Sequence, residues 1–212
     1  MHDRRRPARG AITTIGIALL GASVLVHDLE AQETAPFDPS ERALLSRGEL
    51  VRRNTSRREG ANHFVGGTSW QRVRAPLDRV WATVRDPSAY SRLIPSLDEA
   101  RVVDERGGIR IVRMHHTYGI GEAAYFVRMH VDDERHEMRF ELDRSRPHDI
   151  RAGRGFLSLT SYRGDTIVAW GMLADVGAGV LQQVFGPFLN EWLLLPPRCV
   201  RDDVEPGRVS AC

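Results

Sequence analysis

The feature that most constrains the fold is a series of strand-like segments joined by tight turns between residues 99 and 173. The segments read EARVVDE, IRIVRMHHTY, EAAYFVRMHV, HEMRFELD, RGFLSLTSY and TIVAWGML. Strands joined by short turns pair antiparallel, because a parallel pair needs a crossover of roughly a dozen residues or more. The sequence therefore predicts an antiparallel meander, interrupted by one longer loop, RSRPHDIRAG.

Helical patterns lie on both sides of this meander. An alternating strand at 68–75 is followed by apolar residues at helical spacing in 76–86 and by a short helical piece at 87–95. The last pattern, GAGVLQQVFGPFLNEWLLL at 177–195, has one broad apolar face and a Gly-Pro pair that predicts a kink. A single curved sheet with one long apolar helix to cover it is an α+β arrangement.

The start of this region carries a recognisable motif: a strand, the first turn of a helix, an Asp-containing turn, a Tyr and a Pro. Its residues are Ala75, Pro76, Val80, Trp81, Asp86, Tyr90 and Pro95. Together with the order of elements, the motif resembles the START-like (SRPBCC) superfamily of polyketide cyclase/dehydrase and lipid-transport proteins, over residues 66–200. The resemblance implies a helix-grip fold. In that fold a curved antiparallel sheet wraps around a long C-terminal helix, two short helices follow the first strand, and a deep cavity lies between sheet and helix.

The resemblance also bounds the function. Members of the superfamily bind sterols, phospholipids, quinones, polyketides or plant hormones, and a minority catalyse cyclisation or dehydration. The superfamily has no universal catalytic motif, so no catalytic residue is carried over to this chain. The formal net charge of +2 is small and no long basic run occurs, which argues against a nucleic-acid partner.

Residues 1–31 are predicted to be an export signal that directs the protein to the periplasm of a bacterium or outside the cell. HDRRRPARG is a basic start, residues 11–26 are apolar and uncharged, and LEA precedes Gln32 as a cleavage site. The apolar stretch is shorter than the roughly 20 residues of a membrane span. An uncleaved N-terminal anchor is the alternative, and peripheral contact with a membrane fits either arrangement.

Residues 32–65 are predicted to be a linker that contains one short helix, with Asp38 as its N-cap and Gly48 as its stop. Within this linker, RRNTSRREG at 52–60 is predicted to be a solvated, arginine-rich loop, with contact to anionic lipid as the alternative. Residues 201–212 are assigned to a C-terminal tail. Cys199 and Cys212 either form a disulfide that ties down this tail or remain two unpaired thiols.

The stretch RMHHTYGIGEAAYF, residues 113–126, holds the candidate polar groups of the site. Strand alternation places His116 and Tyr118 on the apolar face and His115 on the opposite face. Adjacent side chains on a strand diverge, so the two histidines cannot chelate a metal together, and neither a metal site nor a cofactor is expected. GIG lacks the third glycine and the helix of a dinucleotide loop, and is predicted to be a hairpin turn.

These observations predict an exported binding protein for a lipid, quinone or polyketide-like ligand, held between the sheet and the C-terminal helix. His116 and Tyr118 are the predicted polar anchors. The other pocket candidates are aromatic, with plain core packing as the alternative for each: Tyr125, Phe140, Phe156, Trp170, Phe185, Phe188 and Trp192. Two rivals remain, a cyclase or dehydratase that uses His116 and Tyr118 as acid and base, and an interaction module without a ligand. The oligomeric state is not predicted.

Overall fold

The computed structural model describes residues 36–178, 180–209 and 212. The predicted export signal at 1–31 lies outside these residues. Within the described part of the chain, every helix is too short or too polar to serve as a membrane span.

A single eight-stranded antiparallel sheet forms the body of the protein. Its strands are β1 (Val51–Glu59), β2 (Asn62–Val73), β3 (Leu97–Arg106), β4 (Ile109–Tyr118), β5 (Gly121–Asp132), β6 (Glu137–Leu142), β7 (Ala152–Tyr162) and β8 (Asp165–Asp175). The spatial order is β1-β2-β8-β7-β6-β5-β4-β3. Strands β3 to β8 each pair with the next, and β8 then pairs with β2. The predicted meander is therefore confirmed, and the fold is the α+β helix-grip arrangement.

Five α-helices and one 3-10 turn accompany the sheet in the described residues. They are α1 (Pro39–Arg47), α2 (Leu77–Val84), the 3-10 turn Pro87–Ala89, α3 (Tyr90–Leu93), α4 (Val180–Trp192) and α5 (Pro196–Val204). The predicted short helix before the sheet is confirmed: the Asp38 side chain caps α1, and Gly48 ends it in the left-handed conformation. The two short helices α2 and α3 follow the second strand of the sheet rather than the first.

The prediction of a solvated loop at residues 52–60 is wrong, because this segment is the edge strand β1. Its arginines alternate between exposed and partly buried positions. Arg53 lies over the Trp70 ring at 4.8 Å and pairs with Glu41 at 2.7 Å. A long arginine stem can cover apolar surface while its charged head stays paired, so charge density alone does not indicate a loop. The sheet therefore begins at Val51, before the boundary at residue 66 that the sequence suggests.

The main core lies on the concave face of the sheet. Helix α2 buries Val80, Trp81 and Val84 there, and the β4 residue Val112 and the β8 residue Val168 face them fully buried. A smaller cluster, which includes Phe64, Trp70 and Phe156, packs on the convex face beneath α1. The sheet thus has two apolar faces, and the cavity described below lies on the concave one.

The C-terminal region differs from the predicted tail. Pro196 and Pro197 follow the long helix as predicted, but they also open a further helix, α5, because proline is well tolerated in the first turn. Cys199 on α5 and Cys212 form a disulfide with their Cα atoms 5.7 Å apart. Trp170 Nε1 on β8 donates a hydrogen bond of 2.7 Å to the Leu193 carbonyl, which fixes the end of α4 to the sheet.

Candidate ligand cavity

A cavity of about 160 Å³ lies between the concave face of the sheet and helices α3, α4 and α5. Its walls are almost entirely apolar. The lining residues are Val84, Tyr90, Leu93, Ile94, Pro95, Ser96, Met114, His116, Ala123, Tyr125, Val127, Met129, Met138, Phe140, Ile150, Leu157, Val168, Trp170, Met172, Ala174, Val176, Leu189, Trp192, Leu193, Pro196, Pro197 and Val200. None of these described residues is an arginine, aspartate or glutamate. A cavity of this composition suits an uncharged apolar molecule.

Strand alternation explains which side chains reach the cavity. On β4, Met114 and His116 line it, whereas His115 points to the convex face, with Nδ1 4.0 Å from a carboxylate oxygen of Asp98. The two adjacent histidines therefore diverge, as the pleat of a strand requires. The described residues contain no cluster of His, Cys, Asp or Glu side chains suited to a metal ion.

A hydrogen-bonded group of three polar side chains lies in the apolar wall. His116 Nε2 lies 2.8 Å from the Tyr125 hydroxyl, and His116 Nδ1 lies 3.2 Å from the Ser96 hydroxyl. The His116 and Tyr125 rings stack with centroids 5.6 Å apart. We call Ser96, His116 and Tyr125 the polar trio.

Burial keeps the polar trio uncharged. It lowers the pKa of His116 from 6.5 to about 4. Burial also raises the pKa of the Tyr125 hydroxyl. At neutral pH the imidazole and the phenol are consequently both neutral, because the apolar surroundings disfavour either charged form.

The neutral trio leaves one hydroxyl hydrogen for a ligand. A neutral imidazole carries one N–H donor and one acceptor nitrogen. If Tyr125 donates to the ring, the other ring nitrogen donates to Ser96, and the Ser96 hydroxyl hydrogen is left over. If Ser96 donates to the ring, the ring donates to Tyr125, whose hydroxyl hydrogen is then left over. Either tautomer therefore offers one O–H donor to an oxygen atom in the cavity.

Several predicted pocket residues line the cavity. Tyr125, Phe140, Trp170 and Trp192 are among its walls, and the Phe140 and Trp170 rings lie 4.9 Å apart. The side chain of Phe185 lies outside the described part of α4.

Phe156 does not line the cavity, and its prediction as a pocket residue is wrong. On β7 it pairs with Gly171, and its ring occupies the space on the convex face where a side chain of residue 171 would lie. The next residue, Leu157, pairs with Trp170 and faces the cavity instead. Side chains alternate along a strand, so Phe156 and Leu157 lie on opposite faces of the sheet and only one of them can line the cavity.

Tyr118 and Phe188 lie at the rim of the cavity rather than in its wall. Tyr118 is 42% exposed and Phe188 is 39% exposed. The Tyr118 ring meets the Trp192 ring edge-on at 4.7 Å, and Phe188 stacks on Trp192 at 5.4 Å. Tyr118 shares a strand face with His116, but it is the last residue of β4, and its ring packs against α4 outside the cavity wall. The partner of His116 is therefore Tyr125.

No pattern in the sequence indicates two of the polar residues in the cavity wall, Ser96 and Tyr90. Ser96 follows Pro95 and has a φ of 59°, a conformation that few residues other than glycine adopt and that no sequence pattern here signals. Tyr90 belongs to the motif that carries the family resemblance, and that motif gives no sign that its side chain also lines the cavity.

The comparisons with known proteins agree with this geometry. The sequence model of the family described as polyketide cyclase/dehydrase and lipid transport matches residues 68–194. No curated protein matches the chain significantly.

Solved structures show the same fold at low sequence identity. A STAR-related lipid transfer protein from Xanthomonas axonopodis is 12% identical, with a TM-score of 0.56 over 71% of this chain and 98% of that chain. The Zhui aromatase/cyclase from Streptomyces sp. R1128 is 16% identical, with a TM-score of 0.51 over 75% of this chain and 100% of that chain. A protein from Thermus thermophilus is 14% identical, with a TM-score of 0.53 over 63% of this chain and 89% of that chain. With its family match spanning more than half of the sequence, the chain belongs to the polyketide cyclase/dehydrase and lipid transport family.

Proposed function

We propose that the protein binds an uncharged, largely apolar small molecule in the cavity, with an oxygen of that molecule hydrogen-bonded to the polar trio. The observation that carries this proposal is the wall itself, in which one neutral group of Ser96, His116 and Tyr125 interrupts an apolar lining without formal charges. Binding is driven by burial of apolar ligand surface, at roughly 25 cal/mol per Å². The trio then fixes the orientation.

The chemistry of the wall narrows the predicted ligand classes. A carboxylate or phosphate brought into this cavity would meet no arginine among the described lining residues, and an unpaired buried charge is costly. Quinones, neutral lipids and uncharged polyketide-like molecules fit, whereas fatty-acid anions and phospholipid headgroups do not.

The size of the cavity adds a condition. A cavity of about 150 Å³ holds one benzene-sized ring, and this one measures about 160 Å³. A ligand larger than one ring therefore requires side chains in the wall, α4 or the β6–β7 loop to move outward. Ile150 in that loop and Leu189 on α4 both line the cavity.

A cyclase or dehydratase is the second candidate function, and one observation favours it. His116 and Tyr125 form a hydrogen-bonded pair of potential acid and base at 2.8 Å, where the sequence had suggested His116 with Tyr118. General acid–base catalysis works best when the pKa lies near the working pH. Burial moves the pKa values of His116 and Tyr125 away from neutrality in opposite directions. This separation supports binding over catalysis.

We further propose that the protein acts outside the cytoplasm, with the rim of its cavity against a lipid surface. The export-like pattern of residues 1–31 and the Cys199–Cys212 disulfide support an oxidising compartment. Ile120, at the tip of the β4–β5 hairpin, is 93% exposed, and its strand neighbour Tyr118 extends the apolar rim toward α4. Exposed apolar patches mark protein–protein or membrane interaction sites, and an apolar ligand in the neighbouring cavity favours the membrane.

Native mass spectrometry of the purified protein, followed by organic extraction, tests the proposed function. We expect a bound small molecule without an acidic group. The variant Ala123→Leu fills the cavity wall and should lose this molecule. Its matched control, Ala124→Leu, changes the neighbouring residue on the opposite face of β5 and should retain it. Equal occupancy in both variants would contradict the assignment of the cavity as the site.

A further inference from the structure

A second polar group lies in the cavity at a distance from the trio. Tyr90 on α3 is only 4% exposed and lines the cavity. Its hydroxyl donates to Met129 Sδ at 3.3 Å and lies 3.9 Å from Met138 Sδ. Both acceptors are thioether sulfurs of other lining residues.

A thioether is a weak acceptor for a buried hydroxyl. Buried polar groups in proteins usually find an oxygen or nitrogen partner, and sulfur accepts hydrogen bonds poorly. An oxygen atom of a ligand that reached the Tyr90 hydroxyl would replace a weak hydrogen bond with a normal one. The exchange favours a ligand that carries such an oxygen.

The two polar groups occupy different levels of the cavity. Tyr125 and Met129 lie on the same face of β5, four residues apart, with Val127 between them. At about 3.3 Å per strand residue, their backbone positions are roughly 13 Å apart. The apolar wall between them therefore separates the trio from the Tyr90 hydroxyl.

The residues that accept from Tyr90 can adapt. Met114, Met129, Met138 and Met172, all the methionines in the described chain, line the cavity. Methionine is unbranched and has three rotatable side-chain bonds, so it repacks at low cost. Met129 and Met138 can therefore move aside and release the Tyr90 hydroxyl to a ligand.

We propose that Tyr90 is a second hydrogen-bonding anchor, and that the ligand is a rigid apolar body with an acceptor oxygen at each end. One oxygen binds the trio and the other accepts from Tyr90. This inference rests on the proposed function and narrows its ligand class to molecules that carry oxygen atoms at two separated positions.

Pairs of probes that differ by one hydroxyl test the proposal. The affinity of the folded full-length protein is measured for 4-hydroxybiphenyl and 4,4′-dihydroxybiphenyl, and for 2-naphthol and 2,6-dihydroxynaphthalene. Two pairs are used because the two ring systems place their hydroxyls at different distances. In at least one pair, the probe with two hydroxyls should bind with a Kd roughly five- to tenfold lower than the probe with one. This decrease is counted beyond the gain that arises because a symmetric probe can bind in two equivalent orientations. The variant Tyr90→Phe should abolish that advantage while it leaves the affinity for the singly hydroxylated probe within about twofold.

Two further variants separate this role from a structural one. Met129→Leu removes the nearer of the two competing sulfurs and should increase the advantage of the second hydroxyl, because the free protein then leaves Tyr90 only the more distant Met138 sulfur. Tyr162→Phe, on the outer part of β7, is the control and should change nothing. If singly hydroxylated probes bind but the second hydroxyl gives no advantage, or if Tyr90→Phe keeps the advantage, the inference is overturned and the proposed function stands. If no probe of either body binds, both are overturned.

Discussion

The variant His116→Gln tests whether the cavity holds its histidine neutral. Burial lowers the pKa of His116 from 6.5 to about 4. Between these values the unfolded chain takes up a proton that the folded protein does not, so the free energy of unfolding falls as the pH drops from 6.5 toward 4. At about 1.4 kcal/mol per unit, the loss at pH 5 reaches about 2 kcal/mol. This is an upper bound, since the part of the ring that faces the cavity is open to water.

Urea unfolding at pH 7 and pH 5 measures the effect. Wild type should lose up to about 2 kcal/mol between the two conditions, whereas His116→Gln should lose much less, because glutamine keeps hydrogen-bonding groups but does not titrate. The control His115→Gln makes the same substitution at the neighbouring residue on the convex face, and should keep most of the wild-type difference because His116 is still present. If His116→Gln retains the full wild-type difference, the argument that burial keeps His116 neutral is refuted.

Three other changes have defined outcomes. Trp170→Phe removes the hydrogen bond to the Leu193 carbonyl and should lower the free energy of unfolding in urea by about 1 kcal/mol. It should also speed the release of a bound probe in stopped-flow fluorescence. An unchanged release rate would contradict a role of this hydrogen bond in fixing α4. Cys212→Ser opens the disulfide and should lower the free energy of unfolding by about 2–3 kcal/mol, with no further loss on adding reductant. Ile120→Ser should leave thermal stability unchanged but weaken sedimentation with phosphatidylglycerol vesicles severalfold, and equal sedimentation would exclude the hairpin tip from membrane contact.

The sequence predicts the sheet well because its information is local and periodic. Apolar residues alternate along β4 and β5, and short glycine turns leave antiparallel pairing as the arrangement that fits. The same alternation places His116 on the concave face without any knowledge of the structure. The error at residues 52–60 has a different origin, since the arginine stems of β1 cover apolar surface that only the folded sheet creates.

The details of the cavity depend on tertiary contacts that no periodicity encodes. Both Phe156 and Leu157 are apolar, and the pairing of β7 with β8 decides which one faces the cavity. Ser96 reaches His116 through a left-handed backbone conformation after Pro95. Tyr90 is part of a structural motif, and only the placement of Met129 beside its hydroxyl reveals a polar group inside the cavity.

The central claim is that the cavity takes neutral rather than anionic ligands, and one matched pair of probes tests it most directly. Isothermal titration at pH 7 compares 2-naphthol, which is uncharged, with 2-naphthoate, which has a similar body and a carboxylate. We expect naphthol to bind and naphthoate to bind at least tenfold more weakly, since the described lining residues include no cationic partner. Equal or tighter binding of naphthoate would show that the cavity accepts a carboxylate, and the proposed preference for neutral ligands would be wrong.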